Sequence, residues 1–251
     1  MEEIVEALAA QQQEMSGLLV GLDDRGWRRS TRCPGWDVAD VVLHVAQSNE
    51  MAIGSASGRY AEAVSLLSDG LGPVGSVDEG AAAMVERQRG VGVDVLRRRW
   101  SDGAATLVTV LDGMDLSTRV TWVAGELSAR TLTTTRLAET WIHAGDVADA
   151  LGATLPATDR LRSIARLAWR TLPYAFAGAG RTMAGPVAFR LTGPAGQEWD
   201  YVPDDDPVTG IAGPAADLCA VAARRLPASA TALRGEGPDA AHVLSLVRTY
   251  A

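Results

Sequence analysis

The chain has 251 residues, 47% hydrophobic and 22% charged, the composition of a soluble globular protein with ample material for a core. A formal net charge of -8 argues against a nucleic-acid footprint, which needs a concentrated basic surface. All 23 basic residues are arginine, which excludes Schiff-base chemistry, a lysine general base and a Walker-type phosphate loop.

Cys33 and Cys219 are too few and too far apart for a disulfide framework or a CxxC metal site. Met1-Glu2-Glu3 is acidic where an export signal would be basic. No apolar run approaches the roughly 18–20 residues of a membrane span. The expectation is a cytoplasmic protein with reduced thiols, without a membrane or nucleic-acid partner.

In chain order, Ile4, Val5, Leu8, Met15, Leu18, Leu19 and Leu22 recur at helical spacing and predict a first amphipathic helix, ended by Asp23-Asp24-Arg25-Gly26. A loop follows through Trp27 to Trp36, with Pro34-Gly35 as a strong turn signal. Asp37 is placed to cap a second helix that carries Val38, Val41, Val42, His44 and Val45. Residues 54–76, rich in Gly and Ser, read as a broken helix or a long loop. A helical pattern runs from Asp78 to Met114, with Gly90 and Gly92 as kink positions. A short extended piece, 118–124, precedes the helix of Arg136 to Leu151, which Gly152 stops.

After Leu155-Pro156 the pattern changes. One helix over 159–176 is followed by a β-hairpin of 187–192 and 198–202. A helix over 213–225 with proline in its first turn, a strand near 231–234 and a last helix from Asp239 complete the chain. The predicted architecture is a helical bundle over residues 1–155 and a small α+β domain over 156–251.

The chemistry concentrates on two of these helices. Glu139 and His143 stand four residues apart, one turn up the same helix face, while Trp141 projects elsewhere. If His44 faces them from its own helix, three N/O ligands with a vacant position result, the arrangement a catalytic zinc needs. The bland alternative is ordinary: helices use Glu-x-x-x-His pairs as salt bridges, and most helical histidines are hydrogen-bonded core or surface residues. Sharing a metal would nevertheless satisfy three ionisable groups on strongly apolar helices at once. Asp40 and Asp146 lie at helical spacing from His44 and His143 and are candidates to orient the imidazoles. His242 reads as a surface residue. Cys33 reads as a half-buried turn residue or, less simply, a reactive thiol. No Gly-x-Ser-x-Gly elbow and no dinucleotide loop is present.

Two segments, Thr31-Arg-Cys-Pro-Gly-Trp36 running on to His44, and Glu139-Thr-Trp-Ile-His143-Ala-Gly-Asp146, resemble the mycothiol-dependent maleylpyruvate isomerase family of the DinB-like metal-binding superfamily. Phe189-Arg-Leu-Thr-Gly-Pro and Gly213-Pro-Ala-Ala-Asp-Leu resemble the small α+β domain that follows the bundle there. The resemblance implies an up-down-down-up four-helix bundle and a divalent metal, usually zinc, on His44, Glu139 and His143. It also implies mycothiol as a thiol cofactor acting on a small carboxylated or conjugated substrate, in an isomerisation or an S-transfer. Arg224 and Arg225 are candidates to bind substrate carboxylates. Two other functions fit the same residues: a thiol-independent metal-dependent cyclase, isomerase or hydrolase, and a metal- or ligand-binding protein without catalysis. Either a monomer or a homodimer is compatible with the sequence.

Overall fold

The computed structural model describes residues 1–123 and 125–249. Ala124, the last residue of the predicted extended piece 118–124, lies outside them. Among the described residues no helix is long and apolar enough to cross a membrane. The chain divides into two compact units, Met1–Leu155 and Pro156–Ala251.

The first unit runs α1 (Glu3–Leu19), α2 (Asp24–Trp27), α3 (Val38–Ala56), α4 (Tyr60–Ser68), α5 (Val77–Gln88), α6 (Val93–Asp112), a hairpin of β1 (Arg119–Trp122) and β2 (Gly125–Ser128), and α7 (Ala129–Leu151). The four long helices make the bundle: α1 and α3 each pack on both α6 and α7. Met15, Trp27, Val41, Val45, Leu96, Trp100 and Val147 fill the space between them, and the Trp100 indole N–H, which would otherwise be buried unbonded, donates to Ser16 Oγ at 2.9 Å. The helical run over 78–114 is two helices, because Gly90 takes a left-handed φ of +86° between them.

Two ends matter for the site. At the start of α3, Asp37 accepts the Asp40 amide at 2.9 Å while the Asp40 carboxylate accepts the Asp37 amide at 3.2 Å, a reciprocal cap. Asp37→Ala is expected to lower the stability of this unit by about 1 kcal/mol in chemical denaturation. An unchanged denaturation midpoint would show that the cap contributes nothing. At the other end, α7 is capped by Ser128, whose hydroxyl accepts the Thr131 amide, and stopped by Gly152 at a φ of +72°.

The second unit comprises α8 (Leu161–Arg170), α9 (Leu172–Gly178), β3 (Val187–Thr192), β4 (Glu198–Tyr201), β5 (Thr209–Pro214), α10 (Ala215–Ala222), β6 (Arg234–Glu236) and α11 (Ala240–Leu246). Its sheet has the order β4-β3-β5-β6, with β3 and β5 parallel and the other pairs antiparallel. Helices α10 and α11 pack on β5, and α8 on α10 and β4. The predicted 159–176 helix breaks at Thr171, whose hydroxyl donates to the Arg248 carbonyl at 2.7 Å as well as back into its own helix. Pro214 lies in β5 and caps α10 rather than entering its first turn.

Candidate metal centre

The site is built where α3 and α7 face each other inside the bundle. His44 sits two turns into α3, and Glu139 and His143 lie a turn apart on α7. Glu139 Oε2 stands 3.6 Å from His44 Nε2 and 3.5 Å from His143 Nε2. The two imidazoles meet edge to face with centroids 4.9 Å apart. One ligand atom from each of the three residues lies within 4.8 Å of the others.

These spacings test whether a metal fits. Donors bound at about 2.0–2.2 Å with tetrahedral angles stand about 3.3–3.6 Å apart. The two carboxylate–imidazole distances fall in that range and are longer than a well-formed hydrogen bond. Two of the three donor pairs thus stand at metal-ligand spacing, and the third lies within 4.8 Å.

Electrostatics follow from the same crowding. Burial would raise the Glu139 carboxyl, but the His143 and His44 imidazoles and the Arg136 charge hold it well below the usual carboxylate range. For His143, burial works against the charged form, yet Asp146, Cys33 and Glu139 hold its pKa well above the ordinary value. His44 moves the other way, lowered by burial that Glu139 offsets only in part.

The loop between α2 and α3 supplies the outer layer. Cys33-Pro34-Gly35-Trp36 closes a turn in which the Trp36 amide donates to the Cys33 carbonyl at 3.0 Å, with proline second and Gly35 at a φ of +77° third. That turn places the Trp36 ring 5.2 Å from the His44 ring. It also sends Cys33 Sγ to within 3.3 Å of Asp146 Oδ2. The same Oδ2 lies 3.0 Å from His143 Nδ1. With Asp146 accepting the Nδ1 proton, Nε2 is the nitrogen turned toward Glu139 and the one that would ligate a metal. Arg32 completes the layer, with Nε 3.9 Å from Asp146 Oδ1 and Nη2 bonded to Asp149.

Cys33, His143 and Asp146 also form a group with metal-ligand spacing. The 3.0 Å contact is of hydrogen-bond length and a guanidinium lies against the carboxylate, so this group reads as support for His143.

Asp40 is placed otherwise than its spacing from His44 suggests. Its carboxylate receives the Asp37 amide and Arg89 Nε at 3.1 Å, because one turn before His44 is also the third position of α3, where a free amide needs an acceptor. Arg224 and Arg225 belong to the second unit, where their Nη1 atoms donate to the Ser245 carbonyl at 3.0 Å and the Ala223 carbonyl at 2.8 Å. His242 lies on α11, its carbonyl accepting the Ser245 hydroxyl at 2.9 Å. The Cys33–Asp146 bond spans 113 residues and had no local signal. Arg136, three residues before Glu139 on the same face of α7, had one in its spacing.

Comparison with known proteins identifies the family. A family model described as mycothiol maleylpyruvate isomerase N-terminal domain matches residues 8–148. Two uncharacterized proteins of Mycobacterium tuberculosis, from strains CDC 1551 / Oshkosh and ATCC 25618 / H37Rv, are each 33% identical over 248 residues, 97% of this chain and 93% of theirs. The crystal structure of the mycothiol-dependent maleylpyruvate isomerase superposes with a TM-score of 0.61 at 20% identity, covering 95% of both chains. A histidine-to-alanine mutant of that isomerase superposes with a TM-score of 0.60 at 19% identity. At that identity the likeness establishes a shared fold. With more than half of its length matched by the family model, and relatives a third identical along nearly all of it, the chain belongs to the mycothiol maleylpyruvate isomerase N-terminal domain family.

Proposed function

We propose that this protein is a metal-dependent enzyme, with zinc as the metal, that uses mycothiol to isomerise a small carboxylated or conjugated substrate. The observation that carries the reading is the convergence of His44, Glu139 and His143 at metal-ligand spacing. The family, and neighbours named as mycothiol-dependent isomerases, support the thiol and the reaction class.

A divalent metal held by His44, Glu139 and His143 would acidify a thiol bound to it, supplying the thiolate nucleophile that a cis–trans isomerisation needs. The residues of the chain do the rest. Glu139 supplies the one anionic ligand, so the centre keeps a net positive charge. Asp146 holds the proton on His143 Nδ1, and Trp36 covers one side of the His44 ring.

The test is a spectrophotometric assay with zinc-loaded protein and maleylpyruvate, the substrate named for the structural neighbours, with and without mycothiol. Conversion to the trans isomer only when the thiol is present supports the proposal. Turnover that ignores the thiol would refute its role, and absence of turnover in both would refute this substrate.

A further inference from the structure

We infer that Arg136 is the anion receptor of this pocket, binding a carboxylate of the small molecule whose other end takes the open position beside His44, Glu139 and His143. The inference rests on the metal reading proposed above and adds to it a substrate class: a ligand with a metal-seeking group at one end and a carboxylate at the other.

Arg136 is 5% exposed, and among the described residues no protein acceptor reaches its enclosed Nε or Nη1. A guanidinium so deep is costly unless an anion meets it. Its Cζ lies 4.8 Å from the centre of the Trp122 ring, which holds the plane of the fork against an aromatic face. Tyr60, whose ring is 5.7 Å from that of Trp122, is close enough to feel the Arg136 charge. Positions 136, 139 and 143 follow one another up a single face of α7. Three residues, about 4.5 Å of helix rise, thus separate the fork's backbone from the carboxylate's, a span that a short organic acid bridges.

Charge points to the same ligand. The carboxylate whose field reaches Arg136 is Glu139, and Glu139 Oε2 is turned to the two imidazoles. A divalent cation contributes two positive charges and Arg136 one, while Glu139 removes one, so two remain beside neutral imidazoles. A ligand carrying a thiolate and a carboxylate supplies two negative charges. The fork of an arginine fits a carboxylate with paired hydrogen bonds, which an ammonium does not.

The experiment uses the full chain loaded with cobalt(II), whose sulfur-to-metal charge-transfer band reports thiol arrival directly. The probes are 3-mercaptopropionate and 3-mercaptopropan-1-ol, which differ in the carboxylate alone. Wild type is expected to bind the acid about tenfold more tightly than the alcohol, the size of a charge-assisted hydrogen bond. In Arg136→Met that preference should collapse while affinity for the alcohol stays unchanged. Arg136→Lys, which keeps the buried charge should the methionine variant fold poorly, should retain an intermediate preference. No preference in wild type, or an undiminished one in both variants, overturns the role of Arg136 and leaves the metal reading standing. Variants that lose both thiols equally show a structural arginine and overturn it too. No band with either thiol on wild type refutes the metal-thiol reading itself, and the two-ended ligand falls with it.

Discussion

Glu139→Gln is expected to reduce bound divalent metal from about one equivalent per chain to a small fraction of that, with isomerase activity lost in parallel. The substitution keeps the shape of the side chain and removes the only anionic donor of the three. Loss of an outer hydrogen-bond partner alone weakens metal binding by about 10–100-fold, so loss of a direct ligand should exceed about 100-fold. The measurement is elemental analysis of untagged protein purified without chelators, beside a competition titration against a chromophoric chelator. Metal retained at wild-type stoichiometry in Glu139→Gln would remove this residue from the ligand set. Wild type that takes up no metal even after reconstitution would refute the metal centre altogether, and attention would move to the second unit.

The second large effect belongs to Asp146. This carboxylate is buried, accepts from His143 Nδ1 at 3.0 Å and from Cys33 Sγ at 3.3 Å, and faces Arg32 across 3.9 Å. Asp146→Asn keeps an oxygen for the imidazole but gives up the charge that makes the imidazole a stronger donor. Metal affinity is expected to fall by about 10–100-fold, with the ligand count unchanged. A chelator competition that finds wild-type affinity would show that His143 needs no such support. Cys33→Ser makes an informative companion, since it preserves a donor to Asp146 and removes the sulfur. If Cys33 only buttresses Asp146, that variant should bind metal within about threefold of wild type, well inside the range expected for Asp146→Asn.

Much of this site is legible in the amino-acid sequence. Glu139 and His143 are one turn apart in any helix, and the run from Arg136 to the Gly152 stop reads as one. Pro34-Gly35 announced its turn, and Asp37 its cap. Other features were read otherwise because two physical demands competed for one residue. Asp40 satisfies helical spacing to His44 and also occupies the capping-box position, and the unpaired amide at the helix start took it. Strand β5 was missed because Thr209-Gly-Ile-Ala-Gly-Pro214 has the composition of a loop, yet it lies between two neighbours in the sheet. Gly213 belongs to that position: a Cβ on it would stand 3.1 Å from the Ala232 carbonyl oxygen, and the backbone there has a φ of +140°.

Covalent spacing along the chain therefore sets the helices, their caps, and the carboxylate and imidazole stacked on α7. Tertiary structure decided the rest. Pairing His44 with Glu139, bringing Cys33 to Asp146 across 113 residues and laying Arg136 over Trp122 all depend on how α3, α7 and the β1–β2 hairpin come together. Local geometry repeats in every helix with the same spacing. Contact between distant segments is settled by the summed burial of the whole core, which no short stretch of sequence contains.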